Sequence, residues 1–473
     1  MLNSLDSLHR VLGPVAAVEN NRMILKEPAS LASARMDELA RLAVFGDADE
    51  KAWARWAIHE LGQMVGVRPA SIHELYMARG RGEIGGFTVP AMNIRGMTYD
   101  TARAIFRSAI RLNAGAFLLE IARSEIAYTD QRPAEYVAVV TAAALREGYR
   151  HPIFIQGDHF QVNARKFKAD PAGEVAAVKA LATEAVAAGF FNIDLDTSTL
   201  VDLSQSTLAE QQRLNYEIGV DLSRHVRSLE PKGVTISLGG EIGEVGTSNS
   251  TVSELRAFMH GYRETLQRTA PGMAGLSKIS VQSGTSHGGV VKADGSIAAV
   301  TLDFRTLEDL GRVARTEFGM AGAVQHGAST LSDQQFHQFP RTETAEIHLA
   351  TGFQTMLYDL MPAALREEIY AWLRENAKDE RKAGDTDEQF FYKSRKKALG
   401  PFKKALWSLP SSTQAELARA YDAKFEFLFA QLGVGGTLPH VERYIDAPDQ
   451  RRPAPSPGGP AVQAAPDDAD AGE

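Results

Sequence analysis

Between Phe87 and Gly352, eight short apolar runs alternate with longer amphipathic stretches. The runs are Phe87–Asn93, Ala116–Ala122, Pro152–His159, Phe190–Asp196, Val234–Gly243, Leu276–Gly284, Ala321–Ser329 and Ala345–Gly352. Tyr99–Leu112, Ala134–Glu147, Ala172–Ala188, Ser206–Leu229 and Thr251–Gln267 lie between them and space their apolar residues as helices do. Thr98 is the expected N-cap of the first. Strand alternating with helix implies parallel strands joined by helical crossovers. Eight such repeats over about 270 residues are the size of a (β/α)8 barrel. A doubly wound sheet would place a glycine-rich turn after its first strand. Here Gly85-Gly86 precedes the strand instead, so the expected fold is an α/β TIM barrel over residues 85–360.

The flanks read differently. Residues 1–84 are expected to form a helical extension, with segments such as Ala32–Ala43 carrying apolar residues at helical spacing. A C-terminal helical region over 361–446 contains Pro362–Asn376 and Thr413–Leu432. Residues 447–473 are rich in Pro, Ala, Gly and Asp with few large apolar side chains, which predicts a disordered tail.

The chain has no cysteine, which excludes disulfides, thiolate metal sites and cysteine nucleophiles. Any metal must be held by nitrogen and oxygen. A formal charge of -8 argues against a general nucleic-acid binder. No apolar run is long enough to span a bilayer, and the first ten residues lack the charged head and apolar core of a secretory signal. A cytoplasmic enzyme is expected.

The chemistry should sit at the C-terminal ends of the strands, where barrels of this kind carry their active sites. Three of those ends carry a histidine within two residues of a glycine: Gly157-Asp158-His159, Gly284-Thr285-Ser286-His287-Gly288 and His326-Gly327-Ala328-Ser329. A single strand-end histidine reads as a side chain bonded to a nearby carbonyl. Three, each close to a glycine, read as ligands of one divalent metal with a coordination position left open. Asp194, Asp196, Glu241, His348 and Thr351 end other runs. Gly327-Ala328-Ser329 and Ala350-Thr351-Gly352 lie where such barrels often bind phosphate.

Together these segments resemble the class II, metal-dependent fructose-bisphosphate aldolases and their tagatose-bisphosphate relatives, in order from Gly85 to Gly352. Val89-Pro90-Ala91-Met92-Asn93 is similar to the family's first-strand segment, with Asn93 at its substrate-contacting asparagine. Glu241-Ile242-Gly243 is similar to its Glu-Leu-Gly. The resemblance implies that His159, His287 and His326 bind a catalytic zinc and that Asp158 is the general acid/base. It places Asp196 and Glu241 near the metal, where they would hold it in an alternative position. Gly288, Gly327, Ser329 and Thr351 would bind phosphate, and a second divalent or monovalent cation is a further expectation. The implied substrate is a phosphorylated sugar and the implied assembly a homo-oligomer, a dimer or larger.

The implied reaction is reversible cleavage of a ketose bisphosphate, fructose 1,6-bisphosphate first, through a metal-stabilised enediolate. The other route to that reaction is a lysine Schiff base. Lys278 lies near the start of its strand, at the wrong end for that role, and Lys292 reads as a loop or phosphate residue.

Three positions depart from the family pattern. The loop after Glu-Leu-Gly reads Ser248-Asn249-Ser250 where carboxylates are expected, which leaves the base for the carbon-bound proton unassigned; Glu244 is one candidate. The eighth strand ends His348-Leu349-Ala350-Thr351 in place of Asn-x-x-Thr, so His348 is either a substrate or enediolate donor or a packed core residue. The second strand ends with Ala122 at the family's serine position, as in the barrel subunit that accompanies tagatose-bisphosphate aldolases. Tagatose bisphosphate and a non-catalytic barrel subunit are therefore the competing readings. The cationic segment Lys393–Lys404 reads as a solvated helix face or, alternatively, as a phosphate clamp at the mouth of its own or a neighbouring barrel.

Overall fold

The eight apolar runs each form a short strand: β3 (Val89–Asn93), β4 (Leu118–Ala122), β5 (Phe154–Gln161), β6 (Asn192–Asp196), β7 (Ser237–Glu241), β8 (Lys278–Val281), β9 (Ala323–Gln325) and β10 (Glu346–Leu349). These strands pair in parallel and close into a barrel, with β10 completing the ring against β3. Nearly every strand residue is buried, as expected where side chains fill the barrel inside and helices cover it outside. The structure is a computed structural model describing residues 4–243, 248–284, 291–294, 298, 302–456 and 464–467.

The crossovers carry helices at Thr98–Leu112, Pro133–Glu147, Pro171–Ala188, Arg213–Ser228, Val252–Thr269, Phe304–Thr316 and, in the short β9–β10 connection, Gln338–Arg341, while Thr351–Leu360 follows β10. Thr251 caps its helix as a reciprocal box: its hydroxyl accepts from Glu254 N, and the Glu254 carboxylate accepts from Thr251 N at 2.7 Å. Thr98 does not cap. Met97 takes the left-handed cap position at φ 48°, while the Thr98 hydroxyl turns to the buried Gln131 amide. Among the described residues, no helix is long and apolar enough to cross a membrane.

The N-terminal region is not wholly helical. Between helices Ser4–Leu12 and Ala34–Phe45, β1 (Ala16–Glu19) and β2 (Arg22–Leu25) form an antiparallel hairpin. Asn20 and Asn21 turn it with φ of 51° and 58°, the left-handed pair that a two-residue hairpin loop requires. On the C-terminal side, Ser411–Gln431 packs along Thr98–Leu112, and Arg107 grips Asp422 at 2.8 Å.

Among the described residues from Ala447 onward no regular element forms, yet residues 447–456 are held by specific contacts. Gln450 N donates to the Gln63 side chain at 2.9 Å and Arg452 N to Glu60 at 2.8 Å. The Trp56 indole donates to Arg452 O at 3.0 Å, and His59 Nε2 lies 2.7 Å from Gln450 O. Further on, Ala465 N donates to Glu184.

Burial, and then the charge of Arg452, lowers His59 to about 4, so the neutral ring is the donor to Gln450. The unfolded value near 6.5 is higher, so the unfolded chain binds more protons between these limits. The contribution is complete above the unfolded value and is lost as pH falls toward 4. We expect His59 to cost ~2 kcal/mol of stability between neutral pH and roughly pH 5. Urea unfolding across that range should show a steeper acid loss in the wild type than in His59→Gln, which keeps a donor without titrating.

Candidate active site

His159 reaches the barrel mouth through an irregularity in β5. Pairing with β6 shifts register between Gly157 and Phe160, and His159 takes φ 39°. A left-handed backbone is strained for a side-chain-bearing residue, and such strain concentrates at functional sites. Gly157 leaves room for the bend: a Cβ there would sit 2.5 Å from the Phe160 ring.

His159 Nδ1 lies 3.1 Å from Asp196 Oδ2 and 3.8 Å from Glu241 Oε2, and its ring centroid is 4.3 Å from that of His326. Donor atoms of His159, Glu241 and His326 all fall within 4.8 Å of one another, close enough to share one metal ion. His326 Nε2 is 3.0 Å from Ser280 Oγ. Asp196 faces His159 while accepting from Ser198 N at 3.0 Å and Ser198 Oγ at 2.7 Å. It is thereby placed to orient the ring that would bind the metal. His287 and Gly288 fall outside the described residues, as does Glu244.

Burial alone would lower the His159 imidazole, but Asp158, Asp196 and Glu241 raise it to about 10. Burial pushes Glu241 well above the ordinary carboxyl range, with Asp196 adding to the rise. Burial opposes ionisation of Asp158 too, yet the His159 and His348 rings hold its carboxyl well below the usual value. The pocket is thus a concentration of buried negative charge answered by imidazoles. A divalent cation would satisfy it, and the buried Asp158 Oδ1 has no hydrogen bond. The donor set of nitrogen and oxygen fits such an ion.

Asp158 lies between this set and His348. Its Oδ1 is 3.2 Å from His348 Nδ1 and 3.8 Å from His159 Nε2, and Asn93 Nδ2 approaches Oδ2 at 3.4 Å. Asn93 is itself held by Glu125 at 2.6 Å, and Arg95 steadies that carboxylate at 2.7 Å. His348 is no ordinary core residue: it stacks on His326 with centroids 4.1 Å apart, and carboxylates surround it.

Those carboxylates belong to a buried network around Lys278, of which the sequence marked only the lysine's place near the start of its strand. Glu120, Gln156, Lys278 and Glu346 fill the barrel below the mouth. Lys278 Nζ pairs with Asp194 at 2.9 Å and with Glu346, which also accepts from the Tyr76 hydroxyl. Burial and Asp158 push Glu120 up to about 7, whereas Lys278 and His348 overcome burial to hold Glu346 down to about 2. Lys278 is raised and locked between carboxylates, which disqualifies it as a Schiff-base amine. The signal was present: a glutamate in the wholly buried run Leu118–Ala122 needs a partner.

At the phosphate-type turns, Gly327 adopts φ 71° and Ser329 Oγ accepts from Ala350 N at 2.6 Å. That bond ties the β9 turn to the start of the Thr351–Leu360 helix, where Thr351 sits in the first turn. Ser248-Asn249-Ser250 anchors its loop: Ser250 exchanges bonds with the Gln282 backbone at 2.8 and 2.9 Å, and Asn249 donates to Asp303. The cationic segment is not simply a solvated face. Arg395 is buried, stacks near Tyr358 and Tyr392, and donates to Thr355 Oγ1 at 2.6 Å, one turn beyond Thr351. Its Nε has no hydrogen-bond partner, and no carboxylate among the described residues pairs with it.

No curated protein matches the chain. Among solved structures, the fructuronate-tagaturonate epimerase UxaE of Cohnella laeviribosi aligns with TM-score 0.51 and 11% identity over 92% of this chain and 90% of its own. A probable tagatose 6 phosphate kinase of Sinorhizobium meliloti 1021 aligns with TM-score 0.50 and 18% identity over 75% of this chain and 93% of its own. The fructose-bisphosphate aldolase of Campylobacter jejuni is 18% identical at TM-score 0.45, over 79% of this chain and 97% of its own. At these identities the first two speak for the fold alone. The family profile is more telling: that of the class II fructose-bisphosphate aldolases matches residues 80–405, spanning the whole barrel and the cationic segment. The chain belongs to the class II fructose-bisphosphate aldolase family.

Proposed function

We propose that the protein is a zinc-dependent aldolase of the cytoplasm that reversibly cleaves a ketose bisphosphate. Fructose 1,6-bisphosphate is the first choice, giving dihydroxyacetone phosphate and glyceraldehyde 3-phosphate. The observation that carries this reading is the convergence of His159, Glu241 and His326 beside Asp158 at the barrel mouth. His159 and His326 would hold the ion, with Glu241 within reach and His287 as the family's third ligand. When bound, the divalent ion supplies positive charge for the ketone oxygen as it becomes anionic.

Everything else falls to this chain's own side chains. Asp158 takes the hydroxyl proton on cleavage and returns it on condensation. Asn93, fixed by Glu125, orients the substrate next to it. Gly327, Ser329 and Thr351, with Gly288, bind one phosphate at the start of a helix, where backbone N–H groups face the anion. His348 stands beside Asp158 as a substrate donor. Arg395 reads the second anionic group, which explains a buried guanidinium with no carboxylate paired to it among the described residues. As in its family, the chain would act as a homo-oligomer.

Tagatose bisphosphate is the second reading, motivated by Ala122 and His348 where the family carries serine and asparagine. A non-catalytic subunit would not need the buried set around Asp158. A coupled cleavage assay across ketose bisphosphates, with and without chelator, tests the proposal; activity that survives chelation would overturn it. Arg395→Ala should raise KM on the order of thirtyfold, the worth of one charged hydrogen-bonded pair, and leave kcat nearly unchanged. Unchanged KM in a variant that melts like the wild type would remove the clamp.

A further inference from the structure

The geometry points to a latch that positions His159: the buried Arg123–Glu174 ion pair, acting through Gln161 and Asp196. This inference rests on the reading of His159 as a metal ligand and assigns the residues that hold its strained backbone and its ring in place.

A side-chain-bearing residue at φ 39° relaxes to a commoner conformation unless its surroundings over-determine it. The strand ladder does not supply that restraint. The described pairing of β5 with β4 ends at Asp158, and its pairing with β6 skips Asp158 and His159 before resuming at Phe160 and Gln161. The restraint comes from the residues just beyond His159.

One ion pair clamps that segment from both sides. Arg123 Nη1 donates to Gln161 O and to Glu174 Oε1, each at 2.6 Å, and Glu174 Oε1 accepts from Asn163 N at 2.8 Å. Arg123 opens the short helix after β4. Glu174 lies in the first turn of Pro171–Ala188, where a negative charge is favoured, and Asp170 fixes that helix start by accepting from Gly173 N at 3.0 Å. Between the clamped residues, Val162 N donates to Asp196 O at 2.9 Å and Val162 O accepts from Thr199 Oγ1 at 2.6 Å. Arg123 and Glu174 are both buried. A buried ion pair brings little net stability over well-packed apolar side chains, so this one acts through what it aligns.

It aligns the Gln161 amide. Gln161 Nε2 donates to Asp196 Oδ2, the oxygen that faces His159 Nδ1 at 3.1 Å, while Ser198 N and Oγ donate to Oδ1. Turning Asp196 away from the ring would break all three of these hydrogen bonds. Carboxylates behind a metal-bound imidazole set its orientation and basicity, and here the latch sets the carboxylate. Arg123 suits the task because its planar fork spans Gln161 O and both Glu174 oxygens.

Two substitutions test the latch. Arg123→Lys keeps the buried charge but loses the fork, and Gln161→Met removes only the amide of a half-buried residue. Zinc affinity, measured by competition with a chromophoric chelator, should fall about tenfold in each. The visible absorption bands of the cobalt-loaded protein, which report the ligand field directly, should shift in both. A role in folding alone would lower the melting temperature of the metal-free chain and leave those bands in place. Added to Asp196→Ala, Gln161→Met should cost no further zinc affinity, because its amide acts through that carboxylate. Wild-type affinity and cobalt bands in both variants, or losses that add fully to that of Asp196→Ala, would overturn the latch and leave the proposed function standing. Should Arg123→Lys fail to fold, Gln161→Met alone and with Asp196→Ala decides the matter. A wild-type chain that binds neither zinc nor cobalt would overturn the proposed function as well.

Discussion

His326→Ala should abolish aldol cleavage, with kcat/KM falling at least a thousandfold, because the loss is the metal and not merely a contact. The ring sits within 4.8 Å of the donor atoms of His159 and Glu241, and its removal leaves carboxylates facing one another in a buried space. A metal ion stabilises an oxyanion by several kcal/mol, so a loss of roughly 4 kcal/mol is a thousandfold in rate. Elemental analysis should show the mouth ion gone. Asp196→Ala should behave differently, because Asp196 is outside the His159–Glu241–His326 group and acts on His159 only by holding its Nδ1 at 3.1 Å. Removing such an orienting carboxylate costs about ten- to a hundredfold in metal affinity, so excess zinc should restore most of its activity. Equal losses in the two variants, neither rescued by zinc, would contradict the assignment of His326 as ligand and Asp196 as its support.

Asp158→Asn is expected to separate chemistry from metal binding. Asparagine keeps the shape of the side chain and its approach to Asn93 but cannot accept the substrate proton. General acid/base catalysis contributes about a hundred- to ten-thousandfold, and kcat should fall within that range while KM stays close to the wild-type value. The ion held by His159 and His326 should remain. Wild-type activity in that variant would exclude Asp158 as the proton carrier and turn attention to His348, the other ionisable group at that position.

The barrel was readable because its strands are short, wholly buried runs separated by helices with clear apolar faces, a pattern few other folds require. The ends of those runs located His159, His326, Glu241 and Asp196 because strand ends in a parallel barrel share one face. What escaped the reading has physical causes. Glu120 and Glu346 are distant in sequence from each other and from Lys278, and they meet only after barrel closure, so each carboxylate looks like an isolated exception to an apolar run. The Asn20–Asn21 hairpin was hidden because four-residue strands carry too little periodicity to compete with the helical segments around them. Thr98 lost its expected cap because Gln131, brought close by tertiary packing, offered the hydroxyl a buried partner. Arg395 read as surface charge because nothing in a run of cations tells which one turns inward.

The pairing of β10 with β3 also sets a schedule for the growing chain. Glu346 aligns with Val89, so the first and last strands of the ring are separated by most of the polypeptide. At ribosomal speeds of about 5–20 residues per second, roughly tens of seconds pass between their synthesis. Throughout that interval β3 and whichever strand was last completed present unpaired edges to other nascent chains. A ribosome stalled just before Glu346 would release an open sheet, a product for chaperones and proteases rather than a weakened enzyme.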